Sequence, residues 1–194
     1  MVEGVEVARP PEAARLDALT LRTFYVVRHG KAGNPDKWTG DDRLRPLTQK
    51  GKKQAEELVE LFKRLPVADV YSSDYLRCIQ TVEPLAAARR LEIKRSPSLE
   101  FGSGLEGLGE FLGDRALDDV VLSTHGDIVF ELVEDLVGRE VIKAGEGGYQ
   151  KASTWVLEVD EHGVTERARY IHAPRSPGCG ARWPPPPTRH ERPQ

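Results

Sequence analysis

Along the middle of the chain, short apolar runs alternate with longer amphipathic stretches, the pattern expected of strands interleaved with helices. Residues 23–27 form a compact β-branched and aromatic run, followed by a polar loop with Gly and Asp through Arg45. Thr48 then caps a predicted helix whose apolar positions Ala55, Leu58, Val59, Phe62 and Leu65 recur at helical spacing and which ends at Pro66. Lys52, Lys53, Glu56, Glu57, Glu60 and Lys63 make its solvated face. Residues 67–72 read as a second strand, and 74–90 as a helix capped by Ser73 or Asp74. A short strand is expected at 91–95 and a fully buried one at 120–124, and 127–137 completes another strand-to-helix unit. Two alternating segments, 154–159 and 164–171, flank the turn-rich Asp160-Glu161-His162-Gly163, which predicts an antiparallel hairpin. The combined pattern predicts a three-layer α/β/α fold with a mostly parallel central sheet and an antiparallel edge pair.

Length and composition place this pattern in one domain. A chain of 194 residues with 39% hydrophobic content supports a single α/β core. Residues 1–22 read as a partly disordered extension with room for a short helix at 15–21, residues 23–172 as the domain, and 173–194 as a Pro- and Arg-rich disordered tail. The 28 basic and 31 acidic side chains leave a net charge of −3, so no long-range field invites a nucleic acid polymer or an anionic membrane. Any anion site must be local. Cys78 and Cys179 stand far apart, which indicates neither a disulfide framework nor a zinc cage. Glu3, Glu6, Glu12 and Asp17 interrupt any signal-peptide core, and no stretch approaches the roughly 20 apolar residues of a membrane span. The expectation is a soluble cytoplasmic protein.

Open α/β sheets bind ligands beyond the carboxyl ends of their strands. Three predicted strands deliver a chemically coherent set there: Arg28, His29 and Gly30; Ser72, Ser73 and, one turn on, Arg77; and His125, Gly126 and Asp127. Guanidinium groups match phosphate oxygens bidentately and stabilise charge on a transferring phosphoryl group. A neutral imidazole nitrogen is nucleophilic and divides one hard displacement into two easier ones. Gly30 allows close backbone approach to a phosphate.

The strand-borne Arg28-His29-Gly30, the segment from Tyr71-Ser72-Ser73-Asp74 through Arg77 to Thr81, and Ser123-Thr124-His125-Gly126 resemble the three signature blocks of the histidine phosphatase superfamily, phosphoglycerate-mutase-like branch. The resemblance runs from about Thr23 to Gly138. It implies that His29 is the nucleophile that becomes phosphohistidine, with Arg28, Arg77 and His125 holding the phosphoryl group. It further implies a carboxylic acid that protonates the leaving group, with Glu100 in the matching context and Glu106, in a Gly-rich loop, as the reserve. The segments 28–32 and 45–51 look most like those of SixA-type phosphohistidine phosphatases. They are also similar to the phosphatase half of bacterial MutT-like Nudix fusions that degrade damaged nucleotides. The implied substrate is a phosphorylated protein or a small phosphorylated metabolite, with no cofactor and no metal; the oligomeric state stays open.

Competing readings carry weight of their own. Arg28 and Arg77 have a plainer role as ion-pair partners of Asp74, Glu83 or other acids. A metal hydrolase would use His29, His125 and Asp127 as ligands, but adjacent arginines repel a divalent cation. A phosphate-binding regulatory module without turnover is the alternative from outside enzymology. Trp38, Lys31 and Lys37, in the loop after His29, are either substrate-facing or ordinary loop residues.

Overall fold

The computed structural model describes residues 21–173; the expected short helix at 15–21 and the Pro-rich tail lie, but for their edges, outside that range. Ten regular elements follow in chain order: β1 (Arg22–Arg28), α1 (Gln49–Phe62), β2 (Asp69–Ser72), α2 (Leu76–Arg89), β3 (Ile93–Arg95), α3 (Gly104–Gly113), β4 (Val120–Thr124), α4 (Gly126–Gly138), β5 (Thr154–Val159) and β6 (Thr165–Ile171). Single 3-10 turns occupy Pro35–Lys37, Asp42–Leu44 and Pro97–Leu99.

The six strands form one sheet in the order β3-β2-β4-β1-β5-β6. β3, β2, β4 and β1 are mutually parallel, β5 runs antiparallel to β1, and β6 antiparallel to β5. Alternation along β1 explains the two helical layers, because successive side chains point to opposite faces. Phe24 and Val26 join one apolar cluster with Leu108 and Phe111 of α3 and Ile128 and Leu132 of α4. Tyr25 and Val27 join the other, with Leu58 and Phe62 of α1 and Val82 and Leu85 of α2. Burying each such Leu or Phe contributes roughly 1.5–3 kcal/mol, so the two clusters fix the sheet between its layers.

The mostly parallel sheet with an antiparallel edge pair is the fold the residue pattern predicts. Three details differ. α2 begins at Leu76 with Tyr75 at its N-cap position and has no side-chain cap. Ser73 Oγ instead meets His125, and Asp74 pairs with Arg95. The Gly-rich stretch expected to be loop is α3, because Leu105, Leu108, Phe111 and Leu112 recur at helical spacing and pack on α4, outweighing the glycine penalty. Finally, Arg22 already belongs to β1: its guanidinium is buried and donates to the carbonyls of Leu112 at 2.6 Å and Asp160 at 2.8 Å, and to that of Asp114.

Candidate active site

β1 and β4 are neighbours at the centre of the sheet, and each ends in a histidine-bearing turn. The His29 amide donates to Thr124 O at 2.9 Å, which continues the β1–β4 ladder one residue past β1. The two imidazole rings, His29 and His125, thereby stand edge to face with centroids 5.5 Å apart. Gly30 N donates to Thr81 Oγ1 at 2.9 Å, and Thr81 Oγ1 donates to the Arg77 carbonyl at 2.6 Å, so α2 is tied to the same turn. A Cβ at Gly30 would lie 3.1 Å from the Gly51 carbonyl, so the close approach Gly30 permits here is to α1.

The protonation pattern of His29 follows from its neighbours. Nδ1 lies 2.8 Å from the Gly30 carbonyl, which can only accept; Nδ1 therefore carries the proton and Nε2 keeps its lone pair. Burial lowers the His29 pKa to about 3, with His125, Arg77 and Arg28 acting in the same direction against the Gly30 hydrogen bond. The ring is neutral at neutral pH. His125 is buried too, and its pKa is lowered to about 4, chiefly by burial and then by Arg77. Arg77 Nη2 donates to its Nδ1 at 3.4 Å, which leaves the proton on Nε2, 2.8 Å from Ser73 Oγ. Both nitrogens of His125 are thus engaged by the protein, so contact with a phosphoryl oxygen replaces one of these bonds.

The two arginines are held from outside the pocket. Arg28 donates from Nη1 to the Tyr149 carbonyl, and burial lowers its pKa while Asp127 opposes that shift. Gly126 makes room for it: a Cβ there would stand 2.5 Å from Arg28 Nη2 and 2.6 Å from Cζ. Arg77, only 3% exposed, donates from Nη1 to the Asp42 carbonyl at 2.8 Å and pairs with the Asp42 carboxylate at 3.0 Å. Its guanidinium also lies over the Tyr75 ring at 4.5 Å. The plainer reading of Arg77 as the ion-pair partner of Asp74, Glu83 or another acid is met in its last form, by Asp42. The Nε–H groups of both Arg28 and Arg77 are buried without a partner among the described residues. Unpaired buried donors of this kind cost 1–3 kcal/mol or more each, and an oxyanion removes that cost.

The two carboxylate candidates separate. Glu100 follows the Pro97–Leu99 turn and accepts two hydrogen bonds from Arg43, at 2.6 and 3.1 Å. Its neighbour Phe101 stands edge to face with His125 at 6.2 Å. Glu106 lies in the first turn of α3 and lines a shallow depression with Pro97, Ser98, Ser103, Gly107 and Glu110, apart from the histidines and arginines. Its expected place in a mobile-looking Gly-rich loop is corrected accordingly. Asp127 accepts from the Gly102 amide at 2.7 Å. Among the described residues, no group of three or more His, Cys, Asp or Glu is arranged to hold a metal ion.

Sequence reasoning missed Asp42, Arg43, Arg45 and Lys151. Asp42 joins Arg77 to Arg45, whose Nε lies 2.6 Å from its carboxylate, and the Arg45 bond holds the Asp42 pKa below its ordinary value. The charged run 41–45 was visible in the chain, but pairing across 35 positions is not written in spacing. Lys151 carries no local signal at all.

Residues 24–108 match the histidine phosphatase superfamily (branch 1). Over 160 residues it is 34% identical to the 8-oxo-(d)GTP phosphatase of Mycolicibacterium smegmatis, covering 79% of this chain and 49% of that protein. The chain therefore spans about half the length of this relative. Among solved structures, the protein histidine phosphatase SixA complexed with tungstate superposes with a TM-score of 0.61 at 21% identity, covering 77% of this chain and 94% of the other. The phosphoglycerate mutase of Bacillus anthracis str. Sterne gives 0.55 at 16% identity, covering 78% and 92%. These likenesses establish the shared fold.

Proposed function

We propose that the protein is a metal-independent hydrolase of phosphate esters or phosphoramidates that works through a phosphohistidine on His29. The observation that carries this reading is a neutral, buried His29 with its Nε2 lone pair free, beside two arginines whose Nε–H donors have no partner among the described residues. In the first half-reaction His29 Nε2 attacks phosphorus, a P–N bond forms, and the bond to the leaving group breaks with its electron pair. Arg28 and Arg77 supply the positive charge for the equatorial oxygens, and His125 adds a further hydrogen bond. Glu100 delivers a proton to the leaving group, after one of its two contacts with Arg43 opens, and then takes a proton from the attacking water. Water cleaves the P–N bond and releases inorganic phosphate.

The fold-level likeness to SixA supports phosphohistidine on a protein as substrate. A second reading, a small phosphorylated metabolite such as a nucleotide, is favoured by the longer-range sequence kinship with the 8-oxo-(d)GTP phosphatase. We propose a cytoplasmic location, which the buried free thiol of Cys78 supports. The test compares wild type with His29→Ala on p-nitrophenyl phosphate and traps acid-labile phosphate after brief exposure to substrate. Turnover and label are expected in wild type only; undiminished turnover in the variant overturns the assignment. Tight binding of phosphate with neither label nor turnover in wild type would favour the regulatory module.

A further inference from the structure

A second set of cations stands beside the phosphoryl pocket, and the phosphate chemistry proposed above does not use it. Gln54, buried on α1, clips two loops together: its Oε1 accepts from the Lys31 amide at 2.9 Å and its Nε2 donates to the Lys151 carbonyl at 3.3 Å. Ala152 then donates its amide to the carbonyls of Arg28 at 3.0 Å and His29 at 3.3 Å, so Lys151 is anchored directly against the nucleophile's own turn. Ala152 does this at φ 62°, a left-handed conformation that costs a residue with a Cβ about 1 kcal/mol or more. Arg45 closes the set by donating to the Gly33 carbonyl at 2.7 Å, two residues after Lys31.

Only part of this positive charge is neutralised. Arg45 has Asp42, but among the described residues neither Lys31, Lys151 nor Arg28 has a carboxylate within ion-pairing distance. Burial lowers the Lys151 pKa, and the charges of Arg28, Arg45, Lys31 and Arg77 lower it further, so these five cations share one neighbourhood. A protein with net charge −3 that concentrates unpaired cations here gains nothing for folding from their mutual repulsion. An anion next to the transferred phosphoryl group relieves it.

We infer that Lys31, Arg45 and Lys151 form a subsite for a second phosphate, carried by the leaving group of the substrate next to the phosphoryl group that His29 attacks. The subsite favours the second, nucleotide reading given above and narrows it to a phosphoanhydride, such as a nucleoside di- or triphosphate, in preference to a monoester or a phosphoramidate. The inference rests on the His29 reading for which phosphate is transferred, but its test does not depend on turnover. Binding of pyrophosphate and of orthophosphate is measured by calorimetry on the full chain carrying His29→Ala, with and without Lys151→Gln. Pyrophosphate is expected to bind about tenfold more tightly than orthophosphate, and Lys151→Gln to remove most of that preference while Lys151→Arg retains it. Equal affinity for the two anions, or a preference that Lys151→Gln leaves intact, overturns the subsite. Phosphoenzyme trapping in wild type decides the catalytic reading separately, so failure of one is not mistaken for failure of the other.

Discussion

Two buried neutral histidines side by side make folding stability depend on pH in a calculable way. An unfolded histidine titrates near its ordinary value of about 6.5, whereas His29 is lowered to about 3 and His125 to about 4. Between those limits the unfolded chain binds protons that the folded one refuses, so stability is complete above about pH 6.5 and is lost as pH falls toward the folded values. From about pH 7.5 to about pH 5 the loss amounts to about 2 kcal/mol per histidine, about 4 kcal/mol for the pair. The assay is urea unfolding at the two pH values for wild type and for the double variant His29→Gln/His125→Gln. The double variant is expected to lose about 4 kcal/mol of the wild-type pH dependence, whatever its absolute stability. An identical pH dependence in both proteins would refute the assignment of these rings as buried and neutral.

Two further outcomes test the site's geometry. Gly126→Ala places a methyl group within 2.5 Å of the Arg28 guanidinium, and kcat/KM on p-nitrophenyl phosphate is expected to fall on the order of 100-fold, as for loss of one oxyanion donor; a change below about twofold would show that Arg28 is not needed where it stands. Glu100→Gln is expected to slow hydrolysis of an alkyl phosphate on the order of 100-fold but that of p-nitrophenyl phosphate by less than about fivefold, since only the poor leaving group needs the proton. Equal losses on both substrates would remove Glu100 as the acid.

What could be read in the chain was what depends on short spacing. Arg28 ends and His29 and His125 follow strands whose apolar runs are plain, and Arg77 sits in the first turn of a helix with an evident apolar face. α3 was illegible because four of its ten residues are glycine, and its helicity is imposed by packing of Leu108 and Phe111 rather than by propensity. The start of α2 was misjudged because Ser73 has a better use: its hydroxyl meets His125 across 52 positions, a demand that no local capping rule contains. Asp42 and Lys151 were invisible for the same reason, since both reach the site through contacts between distant loops.

The bond from the His29 amide to Thr124 O lies between the two central strands of the sheet. Opening it requires unzipping the part of the molecule that melts last, so heat inactivation should coincide with global unfolding rather than precede it. The turn that carries Asp42 and Arg43 is largely exposed and is tied to the rest through side chains and single carbonyls. Mutations in that segment leave the attacking nitrogen anchored and act instead on the groups it steers, Arg77 through Asp42 and Glu100 through Arg43, so the charge and proton supply around a fixed nucleophile can be retuned from the surface.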